Sequence, residues 1–278
     1  MVAAPVLWST AGVVTRHLSS AGAVEQVFWR SLFAFLFVFA FLVFRTNPWK
    51  AIRAAGWPGL VSGLMWAVMF TAFMLALSMT STANALVVMS VSPLLTALFA
   101  KAFLSDAVPP RTWVAAGGAA VGIAWMFSSS LDNHLPGMAV AFLIPVASAV
   151  NVVVLRASAA KLDLVPAVML GGALSCLLAL FFAPAFTATP RDIGLLAFLG
   201  FFQLGLPCML LVIASRTLPA PEIALLSLLE VVLGPLWAWL GAGERPAVAT
   251  LAGGMVVLAA LALNEIGGLR RSTPQRAR

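Results

Sequence analysis

The sequence predicts an all-α membrane protein, ten transmembrane helices arranged as two inverted five-helix repeats. Three observations lead there. The 278 residues are 62% hydrophobic and 9% charged, with a mean hydropathy of +1.06, whereas soluble domains are about 45–50% apolar and about 25% charged. Apolar runs recur along the whole chain, each close to the ~20 helical residues that cross a hydrocarbon core roughly 30 Å thick. The two halves of the chain also align weakly at a shift of 138 residues. Strands of a membrane barrel would alternate apolar and polar residues over about ten positions, and these runs do not.

The runs are bounded by Gly, Pro, Ser and charge. The first, 2–18, stops at Arg16-His17 before a serine pair, and the second, 24–44, follows Gly22 and ends at Arg45. The third, 56–77, comes after the basic stretch from Lys50 to Arg53 and ends before Ser78-Met79-Thr80-Ser81. The fourth, 82–103, ends near Asp106, and the fifth, 110–129, opens on Pro109-Pro110 and closes in serines. The sixth, 136–156, opens on Pro136 and closes on Arg156; the seventh, 164–184, lies between Asp163 and Pro184. The eighth, 193–214, lies between Asp192 and Arg216, and the ninth, 221–241, opens on Pro221-Glu222 and runs to Gly243-Glu244. The tenth, 248–266, closes on Gly267-Gly268.

At the shift of 138, Asp106 falls on Glu244, Thr112 on Thr250, and Ser92-Pro93 on Glu230-Val231. The first helices of each half align at 140, with Val13-Val14-Thr15-Arg16 over Val153-Val154-Leu155-Arg156. The expected organisation is a first repeat over 1–130, a second over 131–267 and a basic cytoplasmic tail over 268–278. Five crossings per half is odd, so the second half inserts upside down. Many secondary transporters use such an inverted repeat with its interface at the midplane.

Charge sets the orientation. With the amino terminus inside, the inner connections hold Arg45, Lys50, Arg53, Lys101, Arg111, Arg156, Lys161, Arg216, Arg270, Arg271, Arg276 and Arg278, twelve residues against Arg16, Arg191 and Arg245 outside. Both termini are therefore expected in the cytoplasm of a bacterial-type inner membrane. The tail reads as a segment lying near anionic lipid. A net charge of +7 without a basic folded face does not point to nucleic acid. Cys176 and Cys208 lie inside apolar runs and read as small packing residues. No signal peptide is expected at the amino terminus, which enters an apolar run without a basic leader.

Four motifs carry a resemblance. They are Leu7-Trp8-Ser9-Thr10, Phe28-Trp29-Arg30-Ser31, Ser90-Val91-Ser92-Pro93-Leu94-Leu95, and Leu240-Gly241-Ala242-Gly243-Glu244-Arg245 followed by Gly253-Gly254. Together they resemble the EamA-type branch of the drug/metabolite transporter superfamily over nearly the whole chain, and the Leu-Trp-Ser-Thr start is similar to the YddG-type exporters of aromatic amino acids. Asp106 stands where Glu is more usual, Pro109-Pro110 follow it, and Val231 stands where a proline often follows Glu230. The resemblance implies a basket of helices 1–4 and 6–9 around a central cavity, with helices 5 and 10 peripheral. It also implies export of small organic solutes.

Catalytic motifs are missing from the sequence. There is no phosphate loop and no His-Glu-x-x-His, and the two histidines, His17 and His134, fall in expected outer loops. No enzyme activity, metal or other cofactor is expected. Eight of nine acids sit in loops or at helix ends; Glu230 alone is deep, eight residues or about 12 Å beyond Glu222. A carboxylate there costs about 2.5–3.5 kcal/mol unless it faces the bundle interior. It reads evenly as a functional group, a proton site or a partner for a substrate ammonium, and as a structural one, an ion pair or a protonated carboxyl bonded within the bundle. Arg30 lies about 7–8 Å inside the second run; it reads first as a snorkelling or structurally bonded side chain, and second as a substrate-carboxylate partner.

Helical spacing outlines a polar and aromatic face for substrate. Trp8, Trp66 and Phe70 would supply apolar and π surface, and Asn84, Ser92, Asn151, Gln203 and Ser227 would bond polar groups. Asn151 and Gln203 should point inward, where they either bind substrate or bridge helices. Pro93, Pro145, Pro207 and Pro235 each remove a backbone hydrogen bond and mark helix bends. The expected function is secondary export of amino acids, aromatic or otherwise apolar, and related metabolites by alternating access; cationic drugs or other metabolites are the alternative, and a lipid-modifying enzyme a remoter one. The expected partners are a small-molecule substrate and the bilayer, with anionic lipid at the cytoplasmic face and no nucleic acid. A monomer is expected.

Overall fold

The computed structural model describes residues 1–104, 110–128, 135–158, 162–183, 186–216 and 220–272. No strand occurs among them, and every expected apolar run contains helix. In order these are α1 (Ala3–Trp8), α2 (Ala11–Thr15), α3 (Ala23–Arg45), α4 (Pro48–Met79), α5 (Thr82–Met89), α6 (Ser92–Leu104) and α7 (Pro110–Ser128). They continue as α8 (Leu135–Ser158), α9 (Val165–Phe182), α10 (Pro190–Phe198), a π-helical turn (Leu199–Gly205), α11 (Leu206–Ala214), α12 (Ala220–Ala242) and α13 (Val248–Ser272). Six stretches are long and apolar enough to span a bilayer: 23–45, 48–79, 82–103, 135–158, 165–182 and 190–214. Shorter apolar helices cover 3–15, 229–242 and 251–260. This is a multi-pass membrane protein.

Several runs are not single rods. The first run breaks between α1 and α2 at Ser9 and Thr10, whose hydroxyls bond back to Val6 O and Leu7 O at 2.7 Å each. The fourth breaks between α5 and α6, where Ser90 Oγ donates to Val87 O at 2.6 Å. Pro93, just past that break, has no N–H to continue the ladder. α4 begins at Pro48 instead of the expected 56, capped by the Asn47 side chain, and bends at Gly56, whose φ of +55° suits a residue without Cβ. Pro207 lies just after the π turn, in which Leu206 N–H reaches Phe201 O, five residues back. α13 runs on to Ser272, into the segment expected to be tail. Residues 105–109, 129–134 and 273–278, which include Asp106, Asp132 and His134, lie outside the described residues, as does the side chain of Pro93.

α3, α4 and α9 pack against one another; α8 lies on α4 and α6, α12 on α1, α2 and α5, and α7 beside α13. Hydroxyls and amides pair across these contacts because lipid and apolar side chains offer them no partner. Ser31 Oγ donates to Ser175 Oγ at 2.9 Å, and Thr71 Oγ1 meets the same oxygen at 3.0 Å, tying α3, α9 and α4. Ser62 Oγ donates to Asn151 Oδ1 at 2.6 Å, and Ser92 Oγ to Ser148 Oγ at 2.9 Å.

At one end of the bundle three carboxylates bind neighbouring loops. Asp192, 0% exposed, accepts Ser19 N–H at 2.9 Å, Ser20 N–H at 3.1 Å and Ser20 Oγ–H at 2.8 Å. Glu25 accepts Thr187 N–H and Ala188 N–H at 2.9 Å each, and the Trp29 indole N–H at 3.2 Å. Glu244 accepts Arg16 Nε–H at 3.0 Å and Thr82 N–H at 2.5 Å, while the two Nη groups of Arg16 donate to Leu77 O and Thr80 O at 3.1 Å each. Gly243, at φ +69°, turns the chain out of α12 and delivers Glu244 to this cluster.

Candidate functional site

Arg30 lies two turns into α3 and is 2% exposed. It does not snorkel. Its Nε donates to Gln203 Oε1 at 3.0 Å and its Nη1 to Phe70 O at 3.3 Å, and its guanidinium carbon stands 5.3 Å from the centre of the Phe73 ring. The π turn brings Gln203 into reach: an extra residue in the turn shifts the side chains that follow. Gly200 lets the backbones close, since a Cβ there would lie 2.7 Å from Arg30 O. Gln203 then completes a bridge, its Nε2 donating to Trp8 O at 3.3 Å, where helix 1 breaks.

Glu230 enters the same region from α12 and is half-buried. It interacts electrostatically with Arg30, and both interact with Cys208, the second residue after the start of α11. Arg30 and Glu230 are nevertheless not a close ion pair; among the described residues those are Arg16–Glu244 and Arg216–Asp163. Trp8, Arg30, Gln203, Cys208 and Glu230 thus converge from α1, α3, the π turn, α11 and α12. Arg30 and Glu230 therefore interact across a gap, without a direct N–O contact.

The remaining candidates are spread over several helices. Trp66 and Phe70 are buried side by side on α4, ring centres 5.6 Å apart, and the Trp66 indole nitrogen has no hydrogen-bond partner. Phe70 joins the Arg30 cluster through its carbonyl. Asn151 and Ser92 face other helices and bridge α8 to α4 and α6, as described above. Asn84 sits at the start of α5, with its Nδ2 on Thr80 Oγ1 at 3.2 Å, beside the Arg16–Glu244 tie and away from Arg30. Ser227 is half-buried, one turn before Glu230. Pro145 and Pro235 lie inside α8 and α12.

A family model settles the kinship of this helical chain. The model of the EamA-like transporter family matches residues 1–128 and 135–265. The chain belongs to that family. The EamA-like family places it among membrane transporters of the drug/metabolite transporter superfamily, not among enzymes. A protein of known crystal structure superposes with a TM-score of 0.67 over 98% of this chain and 96% of its own, at 20% identity. At that identity the likeness concerns the fold alone. No curated protein matches the chain.

Sequence reasoning read Cys208 as packing and did not single out Phe73, whose ring lies under the Arg30 guanidinium. It also passed over Glu25 and Asp192 as loop acids. For Asp192 a signal existed: Thr189-Pro190-Arg191-Asp192 is a capping box, with Thr189 Oγ1 accepting Asp192 N–H at 3.1 Å. The cap locates the helix start, but the serines that share the carboxylate lie more than 170 residues earlier.

Proposed function

We propose that this chain is a secondary transporter that exports small organic zwitterions, amino acids with aromatic or other apolar side chains and related metabolites, by alternating access. The observation that carries the reading is the separated Arg30–Glu230 pair. A substrate carboxylate would pair with the Arg30 guanidinium and a substrate ammonium would take Glu230, joining two charges that do not bond each other directly. Trp8, Trp66, Phe70 and Phe73 would receive an apolar or aromatic side chain, and the unpartnered Trp66 indole N–H would donate one hydrogen bond to a polar oxygen of the substrate. Matching of one family over two segments of similar length, 1–128 and 135–265, supports the two-repeat organisation that alternating access uses. Breaks at Ser9–Thr10 and Ser90–Val91 and the π turn supply bending points near the site. The positive-inside count supports cytoplasmic termini.

A second reading rests on the bonds Arg30 already makes. If Gln203, Phe70 O and the Phe73 ring use the guanidinium fully, Glu230 remains as the only charge for substrate, and the cargo is an organic cation. Liposomes reconstituted with the protein separate the two. Counterflow of labelled phenylalanine, leucine and an aromatic monoamine is measured for the wild-type protein, Glu230→Gln and Arg30→Lys. The zwitterion reading expects amino-acid flux to fall by about tenfold or more in both variants, Glu230→Gln having lost a charged contact of the order of 1.5–3 kcal/mol and Arg30→Lys, which keeps the charge, the planar guanidinium fork that fits a carboxylate. Amine flux that depends on Glu230 and ignores Arg30→Lys establishes the cation reading. Unchanged flux of every solute in correctly folded Glu230→Gln, at every pH, removes Glu230 from transport.

A further inference from the structure

α7 and α13 run side by side and touch tightly at mid-length. A Cβ on Gly122 would lie 2.7 Å from Gly253 O, and one on Gly118 would lie 3.2 Å from the Ala260 Cβ. Toward the Pro110 end of α7 the two helices part. A cavity of about 420 Å³ opens there, lined by Arg111, Val114, Ala115, Gly118, Ala260 and Leu263. Five of those six residues are apolar or glycine. The rim faces outward from the protein, with Val114 77% and Leu263 72% exposed.

Arg111 closes the head of this groove. Its Nη1 donates to Gly267 O at 2.6 Å, bridging the parted helix ends, while its Nε–H is buried without a partner. A buried, unpartnered N–H on a charged group is costly and calls for an acceptor. The depth is marked by Trp113, half exposed two residues further on, with the Lys101 ammonium 5.6 Å from the centre of its ring. Tryptophan beside lysine is the signature of the interface between headgroups and hydrocarbon. The groove therefore runs from interface depth inward over seven residues of α7, about 10 Å.

We propose that this groove holds one anionic phospholipid, its phosphate on Arg111 and one acyl chain laid between α7 and α13 down to the Gly118–Ala260 contact. A phosphate alone would satisfy Arg111 and leave the apolar walls unfilled; an acyl chain alone would fill the walls and leave Nε unpaired. The lipid does both. A net negative headgroup also suits Lys101 beside Trp113 and the positive surplus of residues counted on this side of the chain. The proposal rests on the membrane placement of the chain and is independent of the cargo and of the Arg30–Glu230 site.

Native mass spectrometry tests it, on protein released from micelles containing phosphatidylglycerol and phosphatidylcholine in equal amounts. The wild-type protein is expected to retain one phosphatidylglycerol. Arg111→Gln should weaken retention about tenfold, roughly 1.4 kcal/mol, and Arg111→Lys should fall between. Ala115→Phe fills the groove and leaves Arg111 in place, so it should also release the lipid; a monodisperse elution profile and an unchanged unfolding midpoint in lipid-free detergent control for folding in each variant. Equal retention by the wild-type protein, Arg111→Gln and Ala115→Phe overturns the proposal. So does displacement of the lipid by millimolar inorganic phosphate with Ala115→Phe unaffected, which makes this a site for free phosphate.

Discussion

Where α2 meets α3, carboxylates reach into neighbouring loops and bind their backbone, whereas at the opposite end the Arg216–Asp163 pair stands with side chains 37% and 49% exposed. Both ends carry ionic contacts; among the described residues, carboxylates that hold the backbone of segments distant in sequence are found at the first end, while Asp163 accepts a backbone N–H from nearby Val165. Asp192 and Glu25 spend their oxygens on main-chain N–H groups from segments distant in sequence, which fixes loop positions as well as charge. Glu244 does both, pairing with Arg16 and accepting from Thr82. A carboxylate that accepts several N–H bonds is worth considerably more than an exposed pair in high dielectric. In an alternating-access cycle, the fastened end is the one whose opening would need the larger input of binding energy.

The difference can be broken from its strong side. Asp192→Ala removes the acceptor shared by Ser19, Ser20 and Thr189, and should cost on the order of 2–3 kcal/mol of stability, read as a lowered unfolding midpoint in detergent. Asp192→Asn should recover part of it. Midpoints equal to the wild-type protein would show that these loops are held by their apolar contacts alone. Next in size is Glu244→Gln, expected to cost about 1–2 kcal/mol, since its partner Arg16 is one-third exposed. Combined with Thr82→Val, which removes the 2.9 Å hydrogen bond from Thr82 Oγ1 to Glu244 Oε2, it should be less than additive, because the two variants share that interaction. The smallest effect belongs to Asp163→Asn, within about 0.5 kcal/mol and vanishing in high salt. A loss there as large as that of Glu244→Gln would erase the distinction between the two ends.

Helices were legible because twenty apolar residues in a row leave few alternatives. Interruptions in those helices were less so. The bend at Gly56 is written in a Gly-Trp-Pro sequence, but the widened turn at Leu199–Gly205 has no residue type of its own; it arises from how that segment packs on α3. Glu230 stood out by depth alone. The partners of Arg30 did not, because Gln203 and Phe70 approach it from segments 173 and 40 residues away, and no local pattern encodes such meetings. Asn151 illustrates the limit from the other side: an amide inside a span had to face another helix or a ligand, and Ser62 supplies the helix.

Successive residues on a helix point about 100° apart, and the Phe28-Trp29-Arg30-Ser31 stretch of α3 uses that fan completely. Phe28 and Trp29 meet Phe186, ring centres 4.9 and 6.1 Å away; Arg30 engages Gln203 and Phe70 O; Ser31 reaches Ser175. Those anchors lie on different elements in different directions. As a mechanical part, α3 is therefore keyed against spinning about its own axis, because any rotation that eases one anchor strains another. What is left to it is swinging as a lever, carrying the loop ahead of α10, the π turn and α9 along as one load.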